Sequence, residues 1–559
     1  MKTVVLPKLL SIVGILFLFA FITVNVGADA SPLAIEPYTL GTSPLNDSVT
    51  GTVSVTLGGR LAVPAASAAG AFPVALIVHG RFPICPGDEA ATMGYPCEGE
   101  HRYDAGWDHL LQALAQRGYL ALAINVNGGY AQNMGASMPE ERVPQIIAAH
   151  LNALQQANAG NEAAAFGVDL RDRVDLSRLV LIGHSRGAYA AVMTAWDRVR
   201  LGENGDVDAL MLVTPSGPRF DSRVDEMMLP DVPTSLLLAA CDRNVWNQHG
   251  QMFYETARFE TTRQTPVTSV MLEGANHTYF MQGVESFLED DYLWMEGDTA
   301  NCAADSPKRL SATQQATFIT RYIPDMLDAI LNGVPAEEPL GLDAAQPVPQ
   351  SLYGYPVRMA VLSPAAQRMS LIQPASPLEM QRDQQGGDVL VGQGVGIGYC
   401  FPGVACQGGL LMPGNPAALE ISSQGWDGMQ INLSDRSANV SSFDALQFRV
   451  ALNPLNRLTT PEWAQSLSVM LVDSSGGEAV VDLPETLNAF VVPEADPSAR
   501  WSLIPTFLTS VRIPLSQFRG VDLSQLESVV LLFDRTPMLA LYLADLEFVR
   551  GAAVPTQTD

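Results

Sequence analysis

The chain has 559 residues, 47% of them hydrophobic, and a formal net charge of -27. So large an apolar fraction excludes disorder as the dominant state, and the length exceeds what one core usually fills, so at least two domains are expected. The negative field excludes nucleic acid and anionic membrane surfaces as partners.

In chain order, Lys2 and Lys8 bracket the start of an apolar run from Leu9 to Val24, and Ala28-Asp29-Ala30 supplies small residues at the spacing of a cleavage site. This predicts a signal peptide over residues 1–30 and a secreted or cell-surface, extracytoplasmic protein. An uncleaved amino-terminal anchor is the other reading, because the run is long for a signal. VTGTVSVTLGGRLAV, 49–63, alternates and turns at Gly58-Gly59, predicting an antiparallel pair. FPVALIVHG, 72–80, is nearly continuous in apolar residues, as for a strand covered on both faces. Helical spacing over 107–117, a strand over 119–126 and helical composition over 140–159 follow. LSRLVLIGHSRGAYAAVMTAW, 176–196, reads as strand, abrupt turn and small-residue helix. DALMLVTP, TSLLLAAC and PVTSVMLEG add three strands, and 311–331 a last helix. Such alternation predicts an α/β class for residues 31–335, with a mostly parallel central sheet and helices on both faces.

The Pro- and acid-rich stretch around 333–350 reads as a linker. Residues 336–409 are expected to hold the linker and leading strands of a second domain, and 410–559 short alternating segments that predict an all-β sandwich.

The chemistry centres on Gly183-His184-Ser185-Arg186-Gly187, a G-x-S-x-G placed between strand and helix. Ser185 is the expected nucleophile, and a serine hydroxyl needs a base oriented by an acid. Of seven histidines, His277 in GANHTYF is the one that follows the last strand of this domain. Asp242, directly after TSLLLAAC, is the expected acid. Asp206 and Asp208 precede their strand and fall at its far edge, while Glu273 is a neighbour of His277 in sequence. Backbone donors for an oxyanion are expected from Arg186 and from the loop after His79-Gly80, at Arg81 or Phe82. His79 and His184 read as packing or supporting residues. The sequon Asn276-His277-Thr278 overlaps the base, where a glycan would obstruct a cleft. The scattered histidines predict no metal site, and the triad requires no cofactor.

Six cysteines in an exported chain read as disulfides. Cys85 with Cys97 and Cys400 with Cys406 are close in sequence, which leaves Cys241 either paired with Cys302 or free in the core.

IVHGRF, YDAGWDHLLQALAQRGYLALAINVNG, GHSRG, LLLAACDRNV and GANHTYF together resemble the α/β-hydrolase superfamily. Within it they resemble the group of dienelactone hydrolases, cutinase-like polyester hydrolases and platelet-activating-factor acetylhydrolases. The resemblance spans roughly 50–331 and implies a serine hydrolase acting on a small or polymeric carboxylic ester. Phe82 and Trp246 are the aromatic candidates for substrate contact. The loop 81–106 is longer than in the compact polyester hydrolases. SVRIPLSQFRGVDLSQLESVVLLFDR and LALYLADLEFV resemble galactose-binding-like, jelly-roll modules. That implies contact with carbohydrate or the cell surface, with Trp426, Trp463, Trp501 and Tyr542 as the aromatics to inspect. Two other readings stay open: amide, peptide or lipid hydrolysis by the same triad, and a non-catalytic cell-surface or carbohydrate-binding protein.

Overall fold

A computed structural model describes residues 34–48, 51–65, 70–87, 95–131, 139–161, 165–197, 206–218, 224–284, 288, 302–303, 305–334, 336, 338–402, 414–425, 427–454, 456–460, 463–491 and 506–551. The expected signal peptide, Cys406, Trp426 and Trp501 lie outside them.

Ten strands make the first sheet: β1 (Ile35–Asp47), β2 (Gly51–Ala62), β3 (Phe72–Val78), β4 (Leu120–Ile124), β5 (Val174–His184), β6 (Val207–Val213), β7 (Thr234–Ala239), β8 (Val267–Leu272), β9 (Ser351–Leu352) and β10 (Tyr355–Leu362). Their order is β1-β2-β4-β3-β5-β6-β7-β8-β10-β9. The pairs from β4 to β8 run parallel. Both flanks are antiparallel, β1 and β2 on one side and β10 and β9 on the other. Successive side chains of a strand point to opposite faces. Accordingly Val74, Leu76 and Val78 of β3 enter one core, with the helix Arg186–Trp196, and Ala75 and Ile77 enter another, with the helix Ala312–Leu331. That last helix starts at a capping box in which Ser311 Oγ accepts from the Gln314 amide and Gln314 Oε1 accepts from the Ser311 amide.

The other strands are β11 (Arg368–Ile372), β12 (Val389–Val391), β13 (Val395–Cys400), β14 (Ala418–Gln424), β15 (Gly428–Asn432), β16 (Ala445–Leu452), β17 (Ser468–Asp473), β18 (Glu478–Asp482), β19 (Thr509–Pro514), β20 (Leu526–Leu532) and β21 (Met538–Val549). One sheet runs β13-β14-β21-β16-β19 with β11 also paired to β21, and its partner runs β12-β15-β20-β17-β18. Every pairing in these two sheets is antiparallel. Alternate residues such as Phe448 and Val450 of β16 and Val469 and Leu471 of β17 share one buried core, as in a sandwich.

The expected fold class, an α/β-hydrolase with a mostly parallel sheet, is corrected by these sheets. Strand outweighs helix, 35% against 21%, and the described residues hold six α-helices against twenty-one strands. The physical reason lies in the connections. The antiparallel pair expected within 49–63 forms instead between β1 and β2, with β2 running unbroken through Gly58-Gly59, and β10 returns antiparallel against β8 with Val357 opposite Leu272. From Ser351 onward, the described residues hold only short 3-10 turns among their strands. The protein is therefore strand-dominated, with large antiparallel sheets.

Residues 33–559 form one compact unit, and buried charge ties its two parts together. Arg258 donates to Glu255 Oε2 (2.7 Å) and Asp545 Oδ1 (2.6 Å), while Arg449 donates to Asp545 Oδ2 and to Glu255 Oε1 (2.7 Å). All four are buried. Burial would raise the Asp545 carboxyl, yet the two guanidiniums hold it below its ordinary value. Glu547, two residues on, accepts from Gln447 Nε2 at 3.2 Å and lies 3.6 Å from Arg368. There burial prevails and raises the carboxyl to about 7.

Cys85–Cys97 and Cys241–Cys302 are disulfides, and Cys400 is also disulfide-bonded. Such bonds belong to an oxidising, extracytoplasmic environment. Among the described residues no helix is long and apolar enough to cross a membrane.

The raised Glu547 has a definite linkage sign. Its contribution to stability is full below the ordinary glutamate value, near 4.5, and is lost as pH rises through about 7. Glu547→Gln cannot titrate, so its stability relative to the wild type should increase across that window, read by urea unfolding at a series of pH values. A difference that does not change with pH would contradict the assignment.

Candidate active site

The three strand ends that hold the predicted triad fall within four consecutive strands of the sheet, β5-β6-β7-β8. At the end of β5, Ser185 takes φ 56° and ψ -125° before the helix Arg186–Trp196. Positive φ is costly for a residue with a Cβ, and tight backbone contacts enforce it. A Cβ on Gly183 would fall 2.3 Å from Ala188 Cα, and one on Gly187 2.3 Å from the Val78 carbonyl oxygen. The Ser185 amide donates to Val213 O (3.0 Å), and its carbonyl accepts from Ala188 (3.0 Å) and Ser216 (3.2 Å).

The loop after β3 lies against this turn. A Cβ on Gly80 would sit 2.5 Å from Ser185 Cβ and 3.1 Å from its Oγ. Only glycine permits that approach. His79 fixes the loop. Its Nε2 accepts from the Val126 amide at 3.0 Å, so Nδ1 carries the proton and donates to Gly80 O at 2.7 Å. In a trans peptide the C=O and the following N–H point in opposite directions. The bond that pins Gly80 O therefore also sets the direction of the Arg81 N–H. Burial lowers the His79 pKa, which keeps the ring neutral.

Asp242 is 3% exposed in the turn after β7. Its Oδ1 accepts from the Val245 amide at 2.6 Å, and its Oδ2 lies 2.8 Å from Nδ1 of His277. His277 is fully buried. The carboxylate selects the Nδ1–H tautomer and leaves Nε2 as the basic nitrogen. His277 is brought to the end of β5 by His184, whose Nε2 donates to the His277 carbonyl at 3.0 Å, with ring centroids 4.8 Å apart. Burial and the neighbouring His277 hold the His184 pKa well below its ordinary value.

Two further constraints hold the histidine and acid loops. Gln315 donates from Nε2 to Asn276 O (3.1 Å) and accepts the Asn276 amide at Oε1 (2.9 Å). The Cys241 amide donates to Ala275 O (2.8 Å), and its sulfur is bonded to Cys302. Asn276 is 1% exposed and its Oδ1 accepts from Tyr279, a position with no room for a glycan.

Of the other predicted residues, Phe82 is buried with its ring 6.2 Å from that of His277 and 4.9 Å from Tyr103. Arg81 is half-buried beside Gly80, and Arg186 opens the helix after Ser185. Trp246 is half-buried on the same loop as Asp242. The competing acids are engaged elsewhere: Asp208 accepts from the Leu179 amide near the start of the β5–β6 pairing, and Glu273 pairs with Arg358 of β10. In the second part Tyr542 is buried and Trp463 is exposed. Sequence reasoning missed Gln315 and gave no position to His249, whose Nε2 accepts from the Gly217 amide at 2.7 Å. Neither carries a motif, and only the packing of loops distant in sequence reveals them. Among the described residues no group of three or more His, Cys, Asp or Glu is arranged to hold a metal.

Replacing His79 by leucine removes the acceptor of the buried Val126 amide. The expected cost is about 1–3 kcal/mol of stability, measurable by urea unfolding; a cost of zero would contradict the assigned bonds. Compared with models of known protein families and with curated proteins, the chain matches none, so its functional reading rests on the geometry above.

Proposed function

We propose that the protein is an exported serine esterase with Ser185 as nucleophile, His277 as base and Asp242 as the acid that orients it. The observation that carries this reading is the 2.8 Å bond from His277 Nδ1 to buried Asp242, with the His277 carbonyl held by His184, the residue before a serine held at positive φ by crowded backbone. In the proposed reaction Ser185 Oγ attacks the ester carbonyl carbon while His277 Nε2 takes its proton. The imidazolium is stabilised by Asp242 and returns the proton to the departing alkoxide as the C–O bond breaks. Water then attacks the acyl-enzyme by the same route and releases the acid. The amides of Arg186 and Arg81, or of Phe82, are the proposed donors to the oxyanion, and Phe82 and Trp246 the apolar contacts for substrate. The chemistry requires no cofactor. The amino-terminal segment and the disulfides support export.

A fluorophosphonate probe should label the folded wild type, and S185A should abolish the labelling. With short p-nitrophenyl esters, Asp242→Asn should lower kcat by roughly 10⁴-fold by stabilising the wrong imidazole tautomer. Hydrolysis of the ester should far exceed that of the matching anilide. A folded wild type that stays unlabelled would overturn the proposal.

A further inference from the structure

The loop between Asp242 and the helix Met252–Ala257 carries more buried polar groups than the Asp242–His277 pair needs. Asn247 is 1% exposed, His249 1% and Gln251 3%. Asn247 Oδ1 lies 2.7 Å from His249 Nδ1 and also accepts the His249 amide at 3.3 Å. This fixes the proton on Nδ1 and leaves Nε2 free to accept from Gly217 N–H. The adjacent Ser216 amide donates to the carbonyl of Ser185. Gly217 and Pro218 border a small cavity together with Arg186 and Tyr189, on the first turns of the nucleophile's helix. Burial lowers the His249 pKa to about 4, so the ring stays neutral and the acceptor stays available.

The outer side of the same loop rests on the β-sandwich. Gln251 Nε2 donates to Gly414 O at 2.6 Å and to Thr506 O at 3.0 Å. A Cβ on Gly414 would lie 2.0 Å from the carbonyl oxygen of Asn247. Phe507, from the strand-rich part, enters the same buried core as Met252 and Phe253. The loop is thus clamped between the sandwich and the segment that touches Ser185.

We infer that His249 is a positioning residue of the active site, relaying the grip of the β-sandwich on the loop Asp242–Gln251 to the Gly217 segment beside Ser185 and Arg186. The sandwich is then a working wall of the catalytic site. This inference rests on the serine-esterase reading.

The test uses the full chain with short p-nitrophenyl esters and the fluorophosphonate probe. Leucine at position 249 cannot accept from Gly217 N–H, whereas the glutamine amide oxygen reaches the place of Nε2. Gly414→Ala pushes on the loop from the sandwich side. His249→Leu and Gly414→Ala should each lower kcat by roughly 10- to 100-fold with KM within about threefold, and His249→Gln should recover most of the loss. If His249→Leu does not fold, the contrast between Gly414→Ala and His249→Gln still decides. An unlabelled wild type removes the esterase reading and this inference with it. A labelled wild type whose His249→Leu and Gly414→Ala forms keep full kcat, or whose His249→Gln form loses as much as His249→Leu, overturns this inference alone.

Discussion

Close backbone approach around Ser185 is the constraint on which the rest of the site depends. A left-handed serine between a strand and a helix is sterically unfavourable, and it persists because three glycines let neighbouring chain segments come within van der Waals contact of it. Gly183 meets Ala188, Gly187 meets Val78, and Gly80 meets Ser185 itself. The loops after β3 and β6 touch the serine turn, the loop after β8 is held to His184 beside it, and the loop after β7 meets that loop through Asp242 and His277.

Those loops are braced largely by neutral histidines. His79 joins the Val126 amide to the Gly80 carbonyl, His184 donates to the His277 carbonyl, and His249 accepts from Gly217 while facing Asn247. A neutral imidazole offers one donor and one acceptor on a rigid ring, which suits the bridging of backbone groups in a dry setting. Burial lowers the pKa of each of the three, so charge does not disturb the pattern. These are interactions of geometry in which burial outweighs the nearby carboxylates, Asp104 and Glu100 for His79 and Asp242 for His249.

The strand-rich second part is fastened to the first by a different device. Glu255, Arg258, Arg449 and Asp545 form a buried, electrically balanced quartet. Such a group gains little over a hydrophobic core of equal volume, but losing one member leaves a stranded charge. It joins Arg449 of β16 and Asp545 of β21 to Glu255 and Arg258 at the helix Met252–Ala257. β10 adds a backbone connection by pairing with β8.

The sequence by itself determined the local elements and the turn chemistry. Apolar runs placed β3 and β5 through β8, small residues placed the helix after Ser185, and the glycines flanking the serine announced a turn too tight for side chains. Adjacency in the chain brought Cys85 and Cys97 together. Only the tertiary structure decided which segments pair along the flanks of the first sheet, β1 with β2 and β10 with β8, which overturned the expected fold class, because strand pairing depends on how distant segments return and not on their own periodicity. It alone set the 2.8 Å separation of Asp242 and His277, the clamp of Gly414 and Gln251, and the partners of His79, His249 and Gln315. Hydrogen bonds between loops far apart in sequence leave no periodic signal, since each needs one donor and one acceptor that meet only after the core has formed.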